Sequence, residues 1–232
     1  MQTLLNLRHT PSYAPQDFIL GTANEEAHAW LHAWPTGWTA PSAILWGEEG
    51  CGKTHLAHIW KHLAHAEFLC PTTLSHDLEH LFTSSANATH KAWILEDVTS
   101  HLSAQHFSEE DLFHLLNICQ QHHNYLLMTA YTPASQWNLS LKDVSSRLHA
   151  LPSIAISLPD DELLKAVLIK LFSDRQLHIS DEVMHYILLR IDRNFQHLER
   201  LCDTIDRLSL QTKRKINITL VKEILHTTYT FC

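Results

Sequence analysis

Up to about Ser157 the chain alternates short apolar runs with stretches in which apolar residues recur every three or four positions. The runs are Ala43–Trp46, Glu67–Cys70, Ala92–Leu95, Tyr125–Met128 and Ile154–Ile156. Runs this short, with little polar alternation, suit strands buried on both faces, as in a parallel sheet. Between them Leu56, Ile59, Trp60 and Leu63 recur at helical spacing, as do Leu112, Leu115, Leu116 and Cys119. Strand alternating with helix predicts an α/β fold on a parallel five-stranded sheet.

After Pro159 every patterned segment is helical. Asp160-Asp161-Glu162 puts acid where a helix dipole favours it, and Leu163, Leu164, Val167, Leu168 and Leu171 follow. Ser180 is predicted to cap a second helix carrying Val183, Met184, Ile187 and Leu188. Asn194 is predicted to cap a third, with Phe195, Leu198, Leu201, Ile205 and Leu208. Thr219 is predicted to cap a last one, with Leu220, Val221, Ile224 and Leu225. The expected organisation is an N-terminal peptide over 1–11, an α/β domain over 12–158 and a small helical domain over 159–232.

Composition narrows the function classes. Apolar residues make up 45% of the chain, enough for a sizeable core. The net charge of −8 argues against a protein whose main task is gripping the DNA backbone. Five cysteines, scattered and without a CxxC pair, fit reduced thiols rather than a disulfide framework or zinc knuckle. No stretch is long and apolar enough to span a membrane, and the N-terminus lacks the basic-then-apolar pattern of a secretory signal. A cytoplasmic protein with no membrane partner is expected. Histidine is abundant, at 20. His55, His58, His62 and His65 share one helical face, and His58 and His62 have a spacing that zinc uses. No Cys or acid on that helix completes a ligand set, and histidines recur throughout the chain, so no structural zinc is expected.

Candidate chemistry concentrates elsewhere. Three of the five glycines fall inside Gly47-Glu48-Glu49-Gly50-Cys51-Gly52-Lys53-Thr54, a full GxxxxGK(S/T) phosphate loop. It follows an apolar strand and opens an amphipathic helix, the context the motif requires. Gly47, Gly50, Cys51, Gly52, Lys53, Thr54 and His55 are the predicted nucleotide-binding residues here. The glycines let backbone N–H groups curl around phosphate oxygens, and the helix N-terminus adds positive potential. Lys53 would reach the β- and γ-phosphates, and Thr54 would place its hydroxyl on magnesium. Trp93-Ile94-Leu95-Glu96-Asp97 runs an apolar strand into acids, as a Walker B site does. Glu96 and Asp97 would hold magnesium and polarise water, so ADP or ATP with Mg2+ is the expected cofactor.

These motifs and their surroundings resemble the DnaA family of AAA+ ATPases, over nearly the whole chain after Pro11. Tyr13–Asn24 resembles the family's N-terminal box, which lies against the adenine and brings Phe18, Leu20 and Gly21 into the nucleotide site. Glu109–Asn117 resembles the helix before the sensor 1 strand, and Thr129 matches sensor 1. Ser146-Arg147-Leu148, with Leu141-Lys142 before it, resembles the segment bearing the arginine finger. The helices after Pro159 match the lid.

Within the family the likeness is to the Hda-like branch. With the sequence ending at Phe231-Cys232 after the lid, a protein without the initiator's C-terminal DNA-binding domain is expected. The span from Cys70 to Ala92 is short for the helical insertion with which initiators touch single-stranded DNA. Val221–Leu225 is similar to the ending of that branch. Two positions depart from the family. Glu96 stands where an aspartate usually binds magnesium, and Gln196 occupies the place of the lid's sensor 2 arginine. A neutral amide does not replace a guanidinium on a phosphate, so weak or no intrinsic ATPase is expected.

The resemblance implies a nucleotide-bound negative regulator of bacterial replication initiation. Such a protein binds the DNA polymerase III sliding clamp (its beta subunit), meets DNA through that clamp, and stimulates ATP hydrolysis by DnaA. Arg147 would act in trans, a contribution worth about a thousandfold or more in rate. A homo-oligomer is a further expected partner state. Gln2, Leu5 and Leu7 fit the QxxLx(F/L) pattern of clamp-binding peptides. In such a peptide the apolar anchors enter a pocket while the glutamine amide bonds at its rim. Two alternatives stay open: a DnaA-like initiator or loader accessory ATPase, and a P-loop small-molecule kinase.

Overall fold

A computed structural model of the chain describes residues 12–74, 78 and 91–229. The candidate clamp-binding residues Gln2, Leu5 and Leu7 lie outside the described residues. Two compact units are present, Leu20–Leu158 and a unit formed by the described residues from Pro159 onward together with those before Leu20.

The first unit carries the sheet. Its strands are β1 (Ser42–Trp46), β2 (Glu67–Phe68), β3 (Ala92–Leu95), β4 (Tyr125–Ala130) and β5 (Ser153–Ala155). All pairings are parallel, in the order β2-β3-β4-β1-β5. The interior strand β1, between β4 and β5, is buried from Ser42 to Leu45, which is why its sequence shows no polar alternation. β2 is shorter than its apolar run, pairing only Glu67 with Trp93 and Phe68 with Ile94. β4 runs beyond Met128, because Thr129 and Ala130 keep parallel register with Leu45 and Trp46.

Helices α1 (Glu25–His32), α2 (Lys53–Ala64), α3 (Val98–Ser103), α4 (Glu109–Gln121) and α5 (Lys142–Ala150) flank the sheet. Leu112, Leu115, Leu116 and Cys119 of α4 share one apolar cluster with Ile44, Leu126 and Met128 of the strands. At α2, Trp60 stacks on Trp38 at 5.2 Å between ring centres, and Trp38 stacks on Trp30 at 4.9 Å. α4 begins on a capping box in which Ser108 and Asp111 exchange side chain-to-backbone bonds.

The second unit packs α6 (Asp161–Asp174), α7 (Asp181–Leu188), α8 (Phe195–Thr212) and α9 (Ile218–Tyr229). Leu164, Leu168, Ile187, Leu198, Ile205 and Val221 lie in its core. Asp160, Ser180 and Asn194 cap α6, α7 and α8 by accepting backbone N–H bonds through their side chains. The last cap differs from the sequence expectation. Asn217 Oδ1, not Thr219, accepts the Leu220 N–H at 2.9 Å, because α9 starts at Ile218 and Thr219 is already inside its first turn. The described residues before Leu20 also group with this unit rather than with the sheet, and Asp17 pairs with Lys170 of α6 at 3.0 Å. Among the described residues no helix is long and apolar enough to cross a membrane.

Candidate nucleotide site

The order β3-β4-β1 sets the C-terminal ends of three strands side by side, the edge where open α/β sheets hold ligands. β1 runs into the phosphate loop, β3 into Glu96 and Asp97, and β4 into Thr129 and Tyr131. Gly47 N–H donates to Ala130 O at 3.1 Å and ties the loop to the end of β4. A Cβ at Gly47 would sit 2.5 Å from Ile156 O and 2.8 Å from Cys51 Sγ, so only glycine fits. Gly50 and Gly52 take φ of 73° and 104°, the left-handed region that lets the loop curl before α2.

Lys53 is buried, with 6% of its surface exposed. Its Nζ donates to Gly47 O at 2.7 Å and Glu48 O at 2.9 Å, and lies 4.5 Å from the centre of the Tyr131 ring. A buried ammonium is tolerated only with such partners. Cys51 is buried beside it, and that burial pushes the thiol pKa up against the opposing pull of Lys53. His55 is half-buried in the first turn of α2.

Thr54 donates its hydroxyl hydrogen to the Glu96 carboxylate. Burial raises the Glu96 pKa above the ordinary carboxylate value and Asp97 raises it further, while Thr54 and Lys53 act the other way. Asp97 takes a left-handed φ of 47° before α3, and its N–H donates to Thr129 Oγ1 at 2.9 Å. Thr129, with 1% of its surface exposed, thus joins the ends of β3 and β4. The Thr54 hydroxyl and Glu96 carboxylate meet at one point and are hard oxygen donors. They fit a magnesium ion that also takes oxygens from nucleotide phosphates. Among the described residues no three His, Cys, Asp or Glu side chains gather as a metal set.

Tyr131 was not singled out by the sequence. Its ring covers Lys53, its hydroxyl bonds Ser100, and burial with the charges of Asp97 and Glu49 raises its pKa. Only its place just past the sensor-like Thr129 could have flagged it.

The remaining candidates are distributed. Leu20 and Gly21 belong to the sheet unit; Leu20 is 55% exposed, and Gly21 N–H donates to Asn24 Oδ1 at 3.0 Å. Phe18 and Gln196 belong to the helical unit. Gln196 opens α8 with its side chain exposed, and its backbone N–H donates to Asn194 Oδ1 at 2.8 Å. Arg147 lies on α5, where its Nη1 donates to Asn117 Oδ1 and its guanidinium sits 4.8 Å from the centre of the Phe113 ring.

Residues 160–225 match the family model described as "Hda, lid domain". The chain is 22% identical over 236 residues to the chromosomal replication initiator protein DnaA of Clavibacter sepedonicus, covering 94% of this chain and 49% of the relative. DnaA of Clavibacter michiganensis subsp. michiganensis matches with the same figures. The chain therefore spans about half the length of the curated relatives it matches. Among solved structures, domain III of the Thermotoga maritima DnaA protein superposes with a TM-score of 0.76 at 16% identity, covering 94% of this chain and 97% of that one. AMPPCP-bound DnaA from Aquifex aeolicus superposes with a TM-score of 0.67 at 20% identity, covering 86% and 66%.

Proposed function

The chain is a DnaA-related AAA+ protein, and from that premise we propose that it is a nucleotide-bound negative regulator of bacterial replication initiation. One observation carries the reading: the Hda-type lid match at 160–225 directly follows an α/β unit with a complete phosphate loop. The nucleotide, ADP or ATP with Mg2+, is held by the loop from Gly47 to Thr54 with Glu96. His55, Phe18, Leu20, Gly21 and Gln196 are the further proposed nucleotide contacts. Lys53 exchanges its two loop carbonyls for phosphate oxygens, and Thr54 and Glu96 supply magnesium ligands. When bound, the nucleotide would supply the phosphoryl group, and Mg2+ would offset part of its negative charge.

Intrinsic turnover is weak, because Gln196 offers an amide where a phosphate contact calls for a cation. The main output is in trans. Arg147 enters the nucleotide site of DnaA and stabilises charge on the transferring phosphoryl group. Gln2, Leu5 and Leu7 tether the chain to the sliding clamp and so to DNA, which places the finger where DnaA works.

The test mixes the full chain with DnaA–ATP and clamp-loaded DNA, together and separately. Hydrolysis by DnaA is expected to accelerate only when chain and loaded clamp are both present, and to fall back with Arg147→Ala. No acceleration under any condition overturns the reading. An initiator-type role is the second reading, favoured by the match of 94% of this chain to initiator proteins. It predicts direct binding of single-stranded DNA without the clamp.

A further inference from the structure

Glu109, Phe113 and Asn117 follow one another at four-residue spacing, so they share one face of α4. Each of them engages the segment that carries Arg147. The two carboxylate oxygens of Glu109 accept the Ser140 and Leu141 N–H groups at 2.8 and 2.7 Å. These are the last residues before α5, and the side chain of Leu141 offers no cap of its own. The Glu109 charge therefore fixes where α5 begins, as the acid of a capping box does. One turn further along α4, the Phe113 ring lies beside the guanidinium of Arg147, with 4.8 Å from Cζ to the ring centre. A turn beyond that, Asn117 Oδ1 accepts from Arg147 Nη1. Neither contact uses Nη2.

We infer that this face of α4 is a mount that sets the direction of the Arg147 side chain, with Glu109, Phe113 and Asn117 as positioning residues. The inference rests on the function proposed above, in which Arg147 stabilises a transition state in a partner's nucleotide site. An arginine has many rotamers, and a finger that must be ordered on entry loses part of its effect to that ordering. Fixing the helix start through Glu109 sets the position of the Arg147 Cα. The ring restricts the guanidinium plane, and the amide restricts its rotation in that plane. The Nη2 edge is left for phosphoryl oxygens.

A mount and ordinary packing make different predictions. If these contacts only hold α5 in the fold, their loss lowers stability and every activity together. If they aim the finger, their loss lowers the maximal rate and spares affinity. The experiment measures ATP hydrolysis by DnaA, with loaded clamp present, against concentration of the full chain. Asn117→Leu removes the acceptor, and Phe113→Leu removes the ring. Each is expected to lower the maximal stimulated rate about five- to tenfold. The half-saturating concentration, the binding of a fluorescent ADP analogue and the unfolding midpoint should stay near wild type. Asn117→Asp, which keeps an acceptor, should retain the rate.

Asn117→Leu and Phe113→Leu at or above the wild-type maximal rate would overturn the mount. So would rate losses that merely follow lost folding or lost affinity. Arg147→Ala is the control for the parent reading: a full rate there removes the trans-acting finger itself, whatever the α4 variants do.

Discussion

The hydroxyl of Thr54 donates a hydrogen bond to the carboxylate of Glu96, joining the phosphate loop to the end of β3. Burial nevertheless keeps the Glu96 pKa above the ordinary carboxylate value. A protonated carboxyl does not ligate magnesium, so magnesium-dependent nucleotide binding should weaken on acidification at a higher pH than an ordinary glutamate would give. Titrating a fluorescent ADP analogue across pH, with Mg2+ and with EDTA, measures this.

The same shift makes Glu96 a cost to the fold. A carboxylate raised in the folded state holds its proton longer than in the unfolded chain, so stability falls as pH rises through that window. Glu96→Gln should therefore raise the unfolding midpoint at neutral pH while abolishing the magnesium-dependent part of nucleotide binding. A variant less stable than wild type at neutral pH would contradict the assignment of burial as the dominant cause.

Gly47→Ala should fail for a steric reason. The added methyl would sit 2.5 Å from Ile156 O, and Ile156 cannot retreat freely because its N–H donates to Trp46 O at 2.8 Å. The loop must move instead, and with it the Gly47 carbonyl that holds Lys53. Overpacking of this kind costs about 1–3 kcal/mol. Denaturant titration should show that loss, and binding of the ADP analogue should fall with it.

The strands were legible in the sequence because β1, β3 and β4 are buried on both faces and so read as apolar runs. The end of β4 was not, since Thr129 looks like a polar stop. It is buried only because the Asp97 N–H, far away in sequence, satisfies its oxygen. The phosphate loop was legible because its chemistry is local, from Gly47 to Thr54. Tyr131 was not, because its role exists only once β4 lies beside β1 and sets the ring over Lys53. Glu109 and Asn117 are polar positions of α4 outside its Leu112, Leu115 and Leu116 stripe, and periodicity alone does not say what they meet. The fold brings Ser140, Leu141 and Arg147 against them.

Histidine burial makes a pH prediction of the opposite sign to that of Glu96. His28, His58 and His101 each have a pKa lowered from 6.5, with burial the largest cause. At His58 the charges of Lys61, His55 and His62 add to the effect, and Phe68 lies against the ring at 4.8 Å. As pH falls below 6.5 the unfolded chain takes up protons before these folded sites do, so stability is lost on acidification. The unfolding midpoint should drop between neutral pH and the lowered folded values. His58→Gln should flatten part of that drop and change little above pH 7.

The start of α9 gives the sharpest separation of two neighbouring residues. Asn217 Oδ1 accepts the Leu220 N–H at 2.9 Å, and Asn217 O accepts the Val221 N–H at 3.1 Å, so Asn217 holds the cap position. Thr219 is exposed inside the first turn, where a β-branched side chain has no cap role and loses rotamer freedom. Asn217→Ala should destabilise the helical unit by about 1 kcal/mol. Thr219→Ala should be neutral or slightly stabilising, because alanine has the better helix propensity. Leu220, Val221 and Ile224 are core residues, so fraying of this turn releases core contacts and the loss at Asn217 should appear in the global unfolding curve. Chemical denaturation of the two variants side by side checks both signs. A larger loss at Thr219 than at Asn217 would move the cap to Thr219 and start α9 two residues later.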